Sequence, residues 1–252
     1  MGGAMLTGWL AGGLDAKRAV VVEPAPSPDI TVLAAKGIRL NPTDAGHVDT
    51  LVIAVKPQSF RDAGPALRPL VAPSTLVVSI MAGITMAALQ DTIGGAVVRA
   101  MPNTPAAIGR GITVAVPANN VSVAQRATAD ALLRAIGSVE WVDDEALMDA
   151  VTAVSGSGPA YIFLLAEELA RAGIAAGLPE ALATKLARET VSGSGELLNR
   201  SELPASTLRQ NVTSPGGTTA AALDVLMGKD GLSQLMIRAI AAATARSKEL
   251  AK

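Results

Sequence analysis

Short, unbroken apolar runs alternate with longer mixed stretches over the first two-thirds of the chain. Ala19–Val22, Leu51–Val55, Thr75–Ile80 and Ala96–Met101 are such runs. They end at Glu23, at Lys56-Pro57, at Gly83 and at Pro102. Runs of this length, closed by turn residues, predict strands buried on both faces. Gly111–Val116 and Val139–Val142 predict two later strands. Thr31–Lys36, stopped by Gly37, and Gly64–Leu70 read as helices between them. Strand and helix in alternation predict βαβ units around a parallel sheet. The pattern changes after Asp143. Asp143-Asp144-Glu145 suits a helix start, where side-chain caps and negative charge are favoured. From there apolar residues recur at helical spacing over 145–153, 158–176, 180–199, 218–227 and 231–250. Gly156, Gly158, Gly177, Pro179, Pro204, Pro215 and Gly228 punctuate these stretches. The chain therefore divides into an α/β domain at 1–144, with a doubly wound Rossmann-like sheet, and an all-α domain at 145–252.

Half of the 252 residues are hydrophobic but only 2% are aromatic, so Ala, Val, Leu and Ile must fill the core. An Ala-rich helical half with so few large side chains buries little alone, which predicts dimerisation through it. A formal net charge of -1 argues against a nucleic-acid binder, which would cluster Lys and Arg. The chain has no cysteine and His47 is its one histidine, so disulfides are excluded and no metal site is expected. No uncharged apolar run reaches the roughly 18 residues of a membrane span; Pro159–Ala166 runs into Glu167-Glu168. The start carries no basic region followed by a cleavage site. A cytoplasmic, membrane-free protein is expected.

Candidate chemistry sits where runs end. A dinucleotide fingerprint is strand, G-x-G-x-x-G, helix. Met1-Gly2-Gly3-Ala4 looks like the close of one, with its strand and first two glycines lacking. Glu23 follows at the end of the next run, where an acidic side chain can accept from a ribose 2′-hydroxyl and repel a 2′-phosphate; it reads equally as a solvated loop residue. Ala54-Val55-Lys56-Pro57 and Ser79–Gly83 end strands, the edge at which open parallel sheets bind ligands, although either could be an ordinary turn. In Met101-Pro102-Asn103-Thr104-Pro105 two prolines stiffen a loop that offers polar groups. Ser155-Gly156-Ser157-Gly158-Pro159-Ala160-Tyr161 permits close backbone approach. Ser214-Pro215-Gly216-Gly217-Thr218-Thr219 precedes an Ala-rich segment, either as a carboxylate site on helix amides or as a well-capped start.

In this order and spacing, the stretches resemble the pyrroline-5-carboxylate reductase family. The likeness covers the chain beyond its first residues, and Leu208–Leu223 is its most specific part. It implies a Rossmann-like domain with a helical dimerisation domain, and homodimers that can form rings of dimers. The activity implied is reduction of pyrroline-5-carboxylate to proline with NADPH or NADH. Carried over by position, Gly2 and Gly3 would border the pyrophosphate. Ser27 and Asn41 would lie near the adenosine ribose. Ala54, Val55, Lys56, Pro57, Ala82 and Gly83 would line the dinucleotide. Glu202 and Asn211 would lie by the substrate, and Gly217, Thr218 and Thr219 would hold its carboxylate and face its ring nitrogen. Thr219 is the candidate catalytic residue.

Other readings are weaker. A hydroxyacid dehydrogenase of this architecture, or another imine reductase, would need its own motif; Lys185, the one lysine of the helical half before Lys229, lacks one. A homologue that dimerises without turnover is a further alternative, supported by the incomplete glycine loop. A serine hydrolase fails because no serine lies in G-x-S-x-G and only one histidine exists.

Overall fold

The computed structural model describes residues 1–250. They form two compact units: Met1–Gly156 together with the chain from Thr244 on, and Ser157–Ala243.

The α/β unit begins with α1 (Gly2–Ala11), β1 (Val20–Val21), α2 (Pro28–Ala34) and β2 (Arg39–Leu40). It continues with β3 (Thr50–Ile53), α3 (Phe60–Leu67), β4 (Leu76–Ser79) and α4 (Met86–Thr92). Then come β5 (Ala96–Met101), β6 (Gly111–Pro117), α5 (Val123–Arg134), β7 (Gly137–Trp141) and α6 (Met148–Val151). Each apolar run read as a strand overlaps one, with ends that differ by up to two residues. β2 is too short and too polar to show as a run.

The strands form two sheets, a parallel pair β1-β2 and a five-stranded sheet in the order β3-β4-β5-β6-β7. Every pairing in the larger sheet is parallel except β5–β6. The exception has a simple cause. Residues 102–110 are too few for a parallel crossover, which takes about a dozen or more, but enough for an antiparallel return.

Alternation along the strands covers both faces. Leu76, Val78 and Val98 pack with Met5 of α1 and Leu133 of α5 on one side. Val77 and Val97 pack with Phe60 and Leu89 on the other. The helices are fixed by ordinary caps: Thr85 accepts from the Ala88 amide, and Ser122 with Gln125 forms a capping box. At the expected helix start, Asp144 accepts from the Ala146 amide, but a 3-10 turn comes first, and Thr152–Gly156 is wound as a π-turn. There Gly156 lets the backbone press against the Met101 side chain.

The helical unit holds α7 (Gly158–Ala175), α8 (Glu180–Arg200), α9 (Ala205–Asn211), α10 (Thr218–Leu226) and the start of α11 (Leu232–Leu250). Gly177, at φ +99°, reverses the chain between α7 and α8, and the Leu178 amide reaches back to the Gly173 carbonyl at 3.0 Å. Small residues set the crossing: a Cβ on Gly173 would stand 3.3 Å from that of Ala183. Among the described residues no helix is long and apolar enough to cross a membrane.

Candidate active site

The α/β unit gathers most of its expected ligand-binding residues at the carboxyl ends of β1, β3 and β4. Gly2 opens α1 and lies against Ala54; a Cβ there would come within 2.9 Å of the Ala54 Cβ. Gly3 faces α2, where a Cβ would lie 3.9 Å from Ile30 Cδ1. The amino end of α1 thus sits between the chain leaving β1 and the chain leaving β3. Its first amides have no partner within the helix and add the positive end of the helix dipole. Ala54, Val55 and Lys56 follow β3, with Ala54 and Lys56 exposed, and Pro57 starts a 3-10 turn. Ala82 and Gly83 follow β4. Gly83 is at φ +74°, and a Cβ on it would stand 3.4 Å from the Leu250 carbonyl oxygen. Gly2 and Ala54 thus meet where the amino end of α1 approaches the chain leaving β3.

Ser27 precedes α2 in extended conformation, and its carbonyl accepts from the Thr31 amide. Asn41 is the non-glycine residue at positive φ, +46°. Its Oδ1 accepts from the Glu23 amide and its Nδ2 donates to the Glu23 carbonyl, both at 2.8 Å. The amide of Asn41 is thus spent on the backbone of Glu23. His47 is exposed in the loop before β3, at the opposite end of that strand.

Sequence reading missed the clamp behind the Ala82-Gly83 turn. Arg99, buried in β5, donates to Glu145 Oε1 at 2.6 Å. The same oxygen accepts from the Met86 amide at 2.7 Å, where α4 begins. A charge inside an otherwise apolar strand needs a partner when buried, so Arg99 within Ala96–Met101 was the available signal. Asp149 accepts from the buried Ser247 hydroxyl at 2.6 Å and ties down the end of α11.

In the helical unit, Ser214–Gly217 forms a turn in which the Gly217 amide donates to the Ser214 carbonyl at 3.0 Å. Gly216 is at φ +69° and Gly217 is the extended cap of α10. Thr218 and Thr219 form the first turn, so their amides face outward from the helix end, and no acidic residue stands there to occupy them. Asn211 ends α9, one short loop earlier, and is exposed. Glu202 lies on the exposed link between α8 and α9, and among the described residues it makes no hydrogen bond to the Ser214–Thr219 turn. A cavity of about 450 Å³ is lined by Met86, Gln90, Pro117, Asn119, Asp143 and Glu145. None of the expected site residues lines it.

Residues 145–250 match the family described as pyrroline-5-carboxylate reductase dimerisation. The chain is 38% identical to a pyrroline-5-carboxylate reductase of Pseudomonas aeruginosa over 257 residues, covering 100% of this chain and 94% of that protein. It belongs to the pyrroline-5-carboxylate reductase family. A Synechocystis reductase is 45% identical over 224 residues, 85% of this chain and 81% of that one. The solved reductase of Coxiella burnetii superposes with a TM-score of 0.90 at 35% identity, covering 99% of this chain and 94% of that one. The Plasmodium falciparum reductase, solved with NADP bound, gives 0.81 at 28%, with 99% and 94% covered. Membership accounts for the apolar surface of the helical half: the matched region is a dimerisation domain, and the chain is a homo-oligomer.

Proposed function

We propose that this protein reduces 1-pyrroline-5-carboxylate to L-proline with NADPH or NADH, the last step of proline biosynthesis. The observation that carries the reading is the Ser214–Thr219 turn at the head of α10, in a chain of this family. Residues 1–144 hold the cofactor and 145–252 the substrate and the dimer contact.

The roles follow from local chemistry. Gly2 and Gly3 bring the α1 amides to a pyrophosphate, because a side chain on Gly2 would collide with Ala54. Ala54, Val55, Lys56, Pro57, Ala82 and Gly83 line the dinucleotide at the strand ends; Ser27 and Asn41 lie toward its ribose. When bound, the cofactor supplies a hydride to the C=N carbon. The amides of Gly217, Thr218 and Thr219 receive the substrate carboxylate without needing a cationic side chain. The Thr219 hydroxyl bonds the ring nitrogen and orients the protonated imine, which becomes the amine of proline as its carbon gains the hydride. Glu202 and Asn211 flank the substrate. Homodimers assemble further into a ring in the cytoplasm.

The test is nicotinamide absorbance with purified protein and pyrroline-5-carboxylate. Loss that depends on both reactants is expected, and Thr219→Ala should lower kcat by roughly ten- to a hundredfold, the size of a lost directed hydrogen bond. No loss with either cofactor would sink the reductase reading. Light scattering that returned a single-chain mass would sink the assembly.

A further inference from the structure

The turn that leaves β1 has an unusual inventory of donors. It reads Glu23-Pro24-Ala25-Pro26-Ser27-Pro28. Its three prolines carry no N–H. The Glu23 amide is spent on Asn41 Oδ1 at 2.8 Å, and the Ala25 amide on Glu23 Oε1 at 3.0 Å. Ser27 is left as the source of N–H and O–H donors within 23–28. No Lys or Arg lies in 22–29, while Glu23 and Asp29 both do. Lys17 and Arg18 precede β1, at its other end, and Gly37, beside Lys36, lies against the Lys17 side chain. The Arg39 guanidinium donates to the Asp44 carbonyl at 2.7 Å.

The Glu23 carboxylate is held rather than free. Asn41 grips the backbone on both sides of Glu23, and the Ala25 amide fixes Oε1, which leaves Oε2 exposed as an acceptor. The turn is next to the amino end of α1, because Ile30 of α2 faces Gly3. An exposed acceptor at the end of the strand after the first helix can bind a ribose 2′-hydroxyl. A 2′-phosphate at the same place would meet the Glu23 carboxylate with no Lys or Arg in 22–29 to offset it, and only Ser27 and the first amides of α2 as donors.

We infer that Glu23, positioned by Asn41, makes this protein selective for NADH over NADPH. The inference rests on the reductase reading for the location of the cofactor and goes beyond it in naming which one. It also sets this chain apart from the Plasmodium relative, whose structure holds NADP.

The test is equilibrium titration of the full chain with NADH and with NADPH, followed by energy transfer from tryptophan to the nicotinamide, with steady-state rates measured in parallel. Wild-type protein should bind NADH more tightly by roughly tenfold or more, as like charges at close range oppose association. Glu23→Ser should narrow that ratio by about as much, chiefly by tightening NADPH. Asn41→Gly keeps the backbone accessible at positive φ and should weaken NADH several-fold through KM alone. Equal binding of the two cofactors, tighter NADPH, an unmoved ratio in Glu23→Ser, or binding of neither would overturn the inference. Selective NADH binding without turnover would uphold it while removing the reductase reading.

Discussion

Between Met1 and Gly156, Leu76, Val77, Val78, Val97, Val98 and Leu133 are all 1% exposed or less. Between Ser157 and Ala243, Ala183 and Ala187 are the buried apolar residues among those described, while Phe163, Val225 and Ile237 are 68%, 76% and 62% exposed. The α/β unit closes its own core. The helical unit keeps its large apolar side chains on the outside and buries only methyl groups where α7 meets α8. At roughly 25 cal/mol for each Å² of apolar surface removed from water, covering that surface with a second copy would stabilise the helical unit. One half of the chain buries a core within itself, and the other carries the family's dimerisation region.

Several changes would break or sharpen that contrast. The largest effect is expected from Leu165→Asp. Ile162, Leu165 and Leu169 form a stripe on α7 and are each partly exposed. A charge there should abolish self-association and the activity with it, read by sedimentation; a variant that remained a dimer at micromolar concentration would place the interface elsewhere. Leu133→Ala strikes the other core. Its side chain is 0% exposed, so urea unfolding should show a loss of about 2–5 kcal/mol with the dimer intact. A smaller loss, about 1–3 kcal/mol, is expected for Glu145→Ala, which leaves the Arg99 guanidinium and the Met86 amide without their acceptor. Because the clamp backs the Ala82-Gly83 turn, KM for the cofactor should rise more than kcat falls.

The smallest effect is a pH dependence. The hydrogen bond from Arg134 holds the Asp130 carboxyl below its ordinary range, and the Trp141 indole N–H adds to this against partial burial. The contribution is present above the unfolded carboxyl value of about 3.9 and is lost as pH falls through the lower folded value. Asp130→Asn should therefore melt slightly below wild type at pH 6, and the two should converge as pH drops below about 3.9. A gap that persisted in acid would mean the pair acts by shape, not charge.

Much of the fold was legible because burial on both faces leaves a plain mark: Thr75–Ile80 and Ala96–Met101 hold their strands, and Leu51–Val55 overlaps its own. The direction of β6 left no such mark, since apolar content says nothing of which way a strand runs. Of the candidate site, the glycines and prolines were readable because they answer local backbone demands, as Gly83 and Gly216 show with their positive φ. The Arg99–Glu145–Met86 clamp spans residues far apart in sequence, and only one of its members, a charge within an apolar run, stood out. That Asn41 spends its amide on Glu23, a partner 18 positions away, left no mark in the sequence either.

The main strands, the family and the turn chemistry are written in the sequence, because periodicity, proline and glycine act over a few residues. The tertiary structure alone sets which loops meet at the strand ends, which acceptor Arg99 finds, and that Asn41 grips the Glu23 backbone. These depend on distances between segments remote along the chain, which packing sets and local pattern does not encode.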